Sequence, residues 1–129
     1  MFTIEQIKQA HAQVKSGADF PAYIQDLIKL GVKKYDTFVS DGHSIYFGEN
    51  NFELQSIAKY TVKNIATKSD SEKFKNYLKI HQQGQTDYST FCNHSAETGI
   101  EKWIVNTTDM TCAYFDMAGN TILVEKIAG

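Results

Sequence analysis

The sequence is poor in proline and cysteine and has no long apolar run, and these absences exclude several classes of protein. Its 129 residues include one proline and eight glycines, which excludes a collagen-like or low-complexity chain. The two cysteines, Cys92 and Cys112, are too few for a disulfide framework. No run approaches the ~20 apolar residues that cross a bilayer, and the first five residues lack the charged and apolar regions of a signal peptide. We therefore expect a soluble, cytoplasmic protein with reduced thiols and no membrane partner.

Neither sign of charge dominates. The chain carries 13 basic and 15 acidic residues, and its formal net charge is −2. Because duplex nucleic acid requires a basic stripe that neutralises its phosphates, we exclude double-stranded nucleic acid as the main partner. The chain also lacks the glycine-rich phosphate-binding patterns and the G-x-S-x-G nucleophile elbow. No cofactor is therefore expected.

Helix signals open the chain, whose length is typical of one domain, so we treat residues 1–129 as a single domain. Thr3-Ile4-Glu5-Gln6 is a capping box, and apolar residues at helical spacing predict a helix that ends at Gly17. Asp19 is the predicted cap of a second helix, which ends at Gly31.

Strand signals follow the two helices. Strands are predicted at 32–40, 43–47 and 52–57, with a two-residue type I′ turn at Asp41-Gly42 between the first two. Residues 58–68 fit either an extension of the third strand or a segment that crosses back over the domain.

The second half repeats this order. Ser69-Asp70-Ser71-Glu72 is a second capping box for a helix that ends at Gly84, and Asp87 caps the next helix, which ends at Gly99. Strands follow at about 100–107, 110–116 and 120–126. An offset of 68 residues aligns identical residues in the two halves: Asp19 with Asp87, Gly31 with Gly99, Lys34 with Lys102, Asp41 with Asp109, Tyr46 with Tyr114, and Phe47 with Phe115.

These signals predict an α+β fold made of tandem duplicated helix-helix-β-hairpin units. The pseudo-repeats span about 1–57 and 69–126. Short connections between strands favour antiparallel pairing, with the helices packed on one face of the sheet.

The two copies differ at inward positions. The paired residues are Val14 and His81, Ile24 and Cys92, Leu27 and Ser95, Ile28 and Ala96, and Ile45 and Ala113. The C-terminal copy has lost bulk at several of these positions, and a core cannot leave such voids empty without a large loss of stability. Either Trp103 and residues 58–68 repack the space, or a small ligand pocket is bounded by His81, Cys92, Ser95 and Trp103.

His81 and Cys92 are also the candidates for catalysis. They lie on the inward stripes of adjacent helices, where a histidine could activate a thiolate and Asp87 could orient the imidazole. The alternative is a small buried cysteine beside a core histidine, with Asp87 acting as a helix cap. No metal site is expected, because Cys92 and His94 are two residues apart on a helix and point to different sides.

The predicted sheet carries apolar residues on both faces. One face holds Tyr35, Thr37, Val39, Tyr46, Trp103, Val105, Thr107, Cys112 and Tyr114. The other holds Phe38, Ile45, Phe47 and Leu54. If the helices cover one face, the other is a candidate surface for a homodimer. Its aromatic rings could also stack on single-stranded bases, although the chain lacks the basic groove that such binding needs.

Three segments carry a resemblance to a known family. The run from His81 to Cys92, which reads HQQGQTDYSTFC, and the segments Gly99–Trp103 and Met110–Asp116 resemble the YbcV-like family of small bacterial proteins. This family is a domain of unknown function, and some members are labelled phage envelope proteins. The resemblance implies no reaction, ligand or catalytic residue.

The sequence as a whole favours a non-enzymatic binding or regulatory module that forms a homodimer. Its working surface would be a pocket for a small-molecule ligand or the second sheet face. The alternatives are a small enzyme that uses the Cys92 and His81 pair and a phage-derived structural or interaction protein.

Overall fold

The computed structural model describes residues 2–15 and 17–127. Two helices are followed by three strands, and this order then occurs a second time. The first half contains α1 (Ile4–His11), α2 (Phe20–Leu30), β1 (Lys34–Phe38), β2 (Ser44–Phe47) and β3 (Glu53–Gln55). The second half contains α3 (Ser71–Gln82), α4 (Tyr88–Glu97), β4 (Ile100–Asn106), β5 (Thr111–Asp116) and β6 (Thr121–Lys126).

All six strands form one antiparallel sheet in the order β3-β2-β1-β4-β5-β6. The prediction of a mixed α+β fold with an antiparallel sheet is confirmed. The central pair is β1 and β4, in which Asp36 lies opposite Ile104. The register of β1 with β2 recurs between β4 and β5 at the 68-residue offset, because Tyr35 pairs with Tyr46 and Trp103 pairs with Tyr114. The tandem duplication itself stays a prediction.

Two predicted helix caps, Thr3 and Asp87, are present, but α1 ends at His11 and not at Gly17. Asp19 is the N-cap of α2, and its carboxylate accepts the N–H of Lys15 at 2.8 Å and not one of the helix. The capping box at Thr3 is present, and the Asp87 carboxylate accepts the backbone N–H of Thr90 at 2.8 Å. The second predicted capping box is wrong. Asp70 is the cap of α3, because its extended backbone directs its carboxylate to the N–H of Lys73 at 3.1 Å.

The predicted two-residue turn at Asp41-Gly42 is also wrong, because β1 and β2 are joined by the five-residue loop 39–43. The backbone N–H of Phe38 donates to the carbonyl of His43 across the loop, and that of Gly42 donates to Phe38. The pairing therefore moves by two residues. Since side chains alternate with a period of two, this shift leaves the predicted faces of the strands unchanged.

The inner face of the sheet holds most of the buried residues. Its members are Tyr35, Thr37, Ser44, Tyr46, Leu54, Trp103, Val105, Cys112 and Tyr114. Leu54 is a correction, because it pairs directly with Tyr46 and therefore shares its face. Helix side chains contact this face: the ring of Phe74 in α3 lies 5.0 Å from Tyr114, and that of Phe91 in α4 lies 5.6 Å from Trp103.

The outer face is the opposite side of the sheet. Its members are Lys34, Asp36, Phe38, Ile45, Phe47, Lys102, Ile104, Ala113, Phe115 and Val124. All of them retain partial solvent exposure except Asp36, which is buried.

Residues 58–68, which the sequence left open, form a connecting segment without regular secondary structure. Its backbone N–H groups donate to two parts of the domain: Lys59 and Lys63 donate to Asp41 and Ser40 of the β1–β2 loop, and Ala66 donates to Ala96 of α4. The connecting segment therefore links the β1–β2 loop to α4. No helix in the described part of the chain is long and apolar enough to cross a bilayer.

Candidate functional site

His81 lies near the end of α3 and contacts Phe91 and Thr86. Its ring stacks on Phe91 with centroids 4.4 Å apart, and its Nδ1 is 3.1 Å from the carbonyl oxygen of Thr86. Burial lowers the pKa of His81, and the hydrogen bond with Thr86 opposes this effect. The imidazole is therefore held by the end of the α3–α4 connection.

The Cys92 thiol is fully buried beside the hydroxyl groups of two tyrosines, Tyr60 and Tyr88. The single hydroxyl proton of Tyr60 goes to the carbonyl of Val39 at 2.5 Å. Burial raises the pKa of Cys92, while the two tyrosines and nearby lysines oppose the shift in part.

The other two residues of the predicted pocket are packed as well. The Ser95 hydroxyl is fully buried and donates to the carbonyl of Phe91 at 2.8 Å. The Trp103 ring lies 5.6 Å from Phe91, 6.3 Å from Tyr88 and 6.1 Å from Tyr114. These contacts favour the interpretation that Trp103 and the connecting segment repack the C-terminal half. The ligand pocket stays a prediction.

Two surface clefts lie elsewhere. One has a volume of about 470 Å³ and is bounded by the start of the β1–β2 loop, the connecting segment and Met117. The other has a volume of about 580 Å³ and is lined by residues 68–73 and Glu97. Among the described residues, no three histidine, cysteine or acidic side chains gather where they could hold a metal ion.

Sequence reasoning missed the hydroxyl network on the inner face. Tyr23 of α2 is hydrogen-bonded to Tyr46, which is also bonded to Ser44, and the Ser44 hydroxyl lies 2.8 Å from that of Thr37. Burial raises the pKa of Tyr23, Tyr46 and Tyr88. Because these hydroxyl groups have partners within the protein, the network needs no ligand to satisfy it.

The outer face carries one buried charge, Asp36, which the sequence did not single out. Asp36 is 9% exposed and lies between the side chains of Ile45 and Ile104 on the neighbouring strands. Its Oδ1 has no hydrogen-bond partner among the described residues. The ammonium of Lys34 is 3.8 Å from this oxygen, which is longer than a hydrogen bond.

Aromatic rings and lysines surround this carboxylate. The Lys102 ammonium lies 5.8 Å from the ring centroids of both Phe38 and Phe115, and that of Lys34 lies 4.8 Å from Phe47. The outer face is therefore apolar at most positions, with two cations and one anion near its centre.

These features define a class of protein: an α+β domain whose thiols are buried and hydrogen-bonded, and whose antiparallel sheet exposes an apolar face. The chain belongs to the family described as Protein of unknown function (DUF1398), which it matches over residues 8–126. None of the curated proteins compared with the chain matches it. The family description carries neither the YbcV-like name nor a phage label, so both stay predictions.

We expect both cysteines to react slowly with alkylating reagents in the native protein. Cys92 is fully buried, and burial raises the pKa of Cys112 to about 12, so little thiolate is available at neutral pH. The measurement is the alkylation rate against pH with and without denaturant, in Cys112→Ser so that only Cys92 reports. Fast native labelling with an apparent pKa well below ~8.5 would instead support the Cys92 nucleophile.

Proposed function

We propose that this protein is a non-enzymatic binding module whose working surface is the outer face of the sheet, and whose partner is a second copy of the chain. The single observation that carries the proposal is the content of this face. It presents Phe38, Ile45, Phe47, Ile104, Ala113, Phe115 and Val124, and none of these side chains belongs to the buried core cluster.

Val124 is exposed and the other six side chains are partly exposed, and a contiguous apolar face of this kind is typical of an interaction site. A sheet face suits a second sheet, because two faces of alternating side chains pack about 10 Å apart with interdigitating residues. A second copy also offers charges of both signs, Lys34, Lys102 and Asp36, at the centre of the face. Closed two-fold dimers are the commonest form of such self-association.

The proposal includes three further predictions. Residues 1–129 form one cytoplasmic domain, the two halves arose by tandem duplication, and the helices pack only on the inner face. The repeated register of Tyr35 with Tyr46 and of Trp103 with Tyr114 supports the duplication. The contacts of Phe74 and Phe91 with the inner face support the placement of the helices.

A Cys92 and His81 enzyme is the alternative that these contacts favour less. The Cys92 thiol is buried beside tyrosine hydroxyl groups, and the Nδ1 of His81 lies within hydrogen-bond distance of the Thr86 carbonyl oxygen. A nucleophile needs its base within hydrogen-bond reach and a path to the substrate. The phage-derived structural protein would require assembly beyond a dimer, which the experiment below also measures.

The test compares two valines that differ in position. Val124 lies on the outer face and is 55% exposed, whereas Val62 lies on the connecting segment and is 72% exposed. We expect Val124→Glu to weaken self-association about tenfold or more, because it places a charge in an apolar contact. Val62→Glu is the matched control and should leave self-association unchanged.

Sedimentation equilibrium over a range of protein concentrations measures both effects. A wild-type protein that stays monomeric at about 1 mM, where only very weak association would escape detection, would refute the proposal. Equal weakening by the two substitutions would also count against the outer face. Species larger than a dimer would favour the structural alternative.

A further inference from the structure

Resting on this proposed function, we infer that the second copy docks in one register, in which Asp36 of each chain meets Lys102 of the other. This pair of contacts makes self-association sensitive to ionic strength. The inference starts from the unsatisfied carboxylate on the outer face.

Asp36 needs a cation once the outer face is covered. Its Oδ1 has no hydrogen-bond partner among the described residues, and Lys34 is 3.8 Å away. A second sheet would remove the water that still reaches the exposed part of this side chain. Because a buried carboxylate is strongly unfavourable unless it is paired and hydrogen-bonded, the docked copy must supply a donor.

Lys102 is the cation that can supply it. In the described part of the chain no carboxylate lies within ion-pair distance of its ammonium, which sits over the rings of Phe38 and Phe115. Lys34 lies 3.8 Å from Asp36 Oδ1 of its own chain, which is too far to donate the missing hydrogen bond. If Lys102 turned toward the second copy, the two phenylalanine rings would become free for apolar contact.

The strand order places these groups where a two-fold axis could join them. Asp36 and Ile104 are paired on β1 and β4, the two central strands of the sheet. An axis parallel to these strands and midway between them would place β1 of one chain over β4 of the other. Asp36 would then face Ile104 of the second copy, with Lys102 two residues, or about 7 Å, farther along β4.

Lysine can span this separation, since its charge sits at the end of a flexible four-carbon stem. The symmetry would produce the contact twice, because in an isologous interface residue i meets j and j meets i. The same central carboxylate disfavours single-stranded nucleic acid, whose phosphates it would repel. The formal net charge of −2 acts in the same direction.

The test is a charge exchange. We expect Asp36→Lys and Lys102→Asp each to weaken self-association about tenfold or more, since each leaves a like-charged contact in the interface. The double variant restores the pair in reverse and should return to within about threefold of the wild type. Lys79→Asp, an exposed lysine of α3 on the helical side, is the matched control and should have little effect.

Salt and neutral variants complete the design. Raising the ionic strength should weaken the wild-type dimer more than the double variant Asp36→Asn with Lys102→Gln, which keeps the side-chain sizes and removes both charges. This variant also gives a result if a charge reversal prevents folding, which thermal unfolding would reveal. Equal salt dependence in the two proteins would refute the ion pair.

The outcomes separate the two proposals. If Val124→Glu weakens the dimer but the charge exchange gives additive effects without restoration, the register inferred here is wrong and the binding face stands. A monomeric wild type refutes both. Binding of a labelled single-stranded oligonucleotide that Val124→Glu abolishes would refute the second copy as the occupant.

Discussion

Replacing Trp103 with alanine should lower the free energy of unfolding by about 3–5 kcal/mol, the range for removing a large aromatic side chain from a core. Trp103 is 7% exposed, and its ring contacts Phe91 and Tyr88 of α4 and Tyr114 of β5. Trp103 lies in the C-terminal half, where several inward residues are smaller than their equivalents in the N-terminal half. The loss of its ring would therefore leave a cavity that the surrounding backbone can only partly close.

Urea unfolding followed by circular dichroism measures this effect, and Trp103→Tyr is the control. Tyrosine stands at the equivalent position, Tyr35, so this substitution should cost much less. A loss below about 1 kcal/mol for Trp103→Ala would mean that the ring fills little of the core.

A second variant decides between a repacked and a hollow C-terminal half. Ser95→Leu restores the residue found at Leu27, and both positions are fully buried. Because Trp103 and the connecting segment already contact this region, we expect the larger side chain to destabilise the protein by about 1–3 kcal/mol. A stabilising effect would instead support the predicted ligand pocket at His81, Cys92, Ser95 and Trp103.

Gly99→Ala should be the most damaging of the glycine substitutions, with an expected loss of more than about 2 kcal/mol. Gly99 has a φ of +85°, which alanine adopts only with strain. A Cβ at this position would also lie 2.8 Å from the Cα of Ser69 and 3.0 Å from the carbonyl oxygen of Lys68. Backbone atoms cannot rotate away as a side chain can, so the end of the connecting segment would have to move.

Gly84→Ala separates the strain of a positive φ from the close approach of backbone atoms. Gly84 has a similar φ of +78°, but a Cβ there would have no atom within 4 Å, so only the strain of about 1–2 kcal/mol should appear. Thermal unfolding of the two variants gives the difference. Equal losses would show that the close approach of Ser69 to Gly99 contributes nothing.

The elements of the fold were predictable where the signal was local. Asp87 caps α4, Gly31 ends α2 with a φ of +98°, and the six strands begin and end within a few residues of their predicted bounds. A cap needs only a side-chain oxygen beside a free N–H, and a helix end needs only a residue that tolerates positive φ. Such interactions depend on residues three or four apart, which a sequence displays directly.

Loop length was less predictable than strand face. The Asp41-Gly42 pair is typical of a two-residue turn, yet the Asp41 carboxylate accepts the N–H of His43 at 3.0 Å, and β1 and β2 are joined by a five-residue loop. The Tyr60 ring packs against Gly42 from the connecting segment. A contact between residues so far apart in the chain could not be read from the turn sequence.

The candidate site divides in the same way. The sequence identified His81, Cys92, Ser95 and Trp103 as neighbours in the C-terminal half, but it paired Cys92 with His81. One of the tyrosines beside the thiol is Tyr60, which lies in the connecting segment, where the sequence shows no helical or strand periodicity. Asp36 was likewise missed, because its burial on the outer face depends on the pairing of β1 with β4.

The sequence by itself determined the helices, the strands, their antiparallel character and the alternation of their side chains, since each follows from local hydrogen bonding and from periods of 3.6 and 2. Only the tertiary structure decided that β1 joins β4 and that the connecting segment reaches Cys92. It alone left Asp36 Oδ1 without a hydrogen bond among the described residues. These features depend on contacts between distant residues, whose geometry is set by packing the whole core at once.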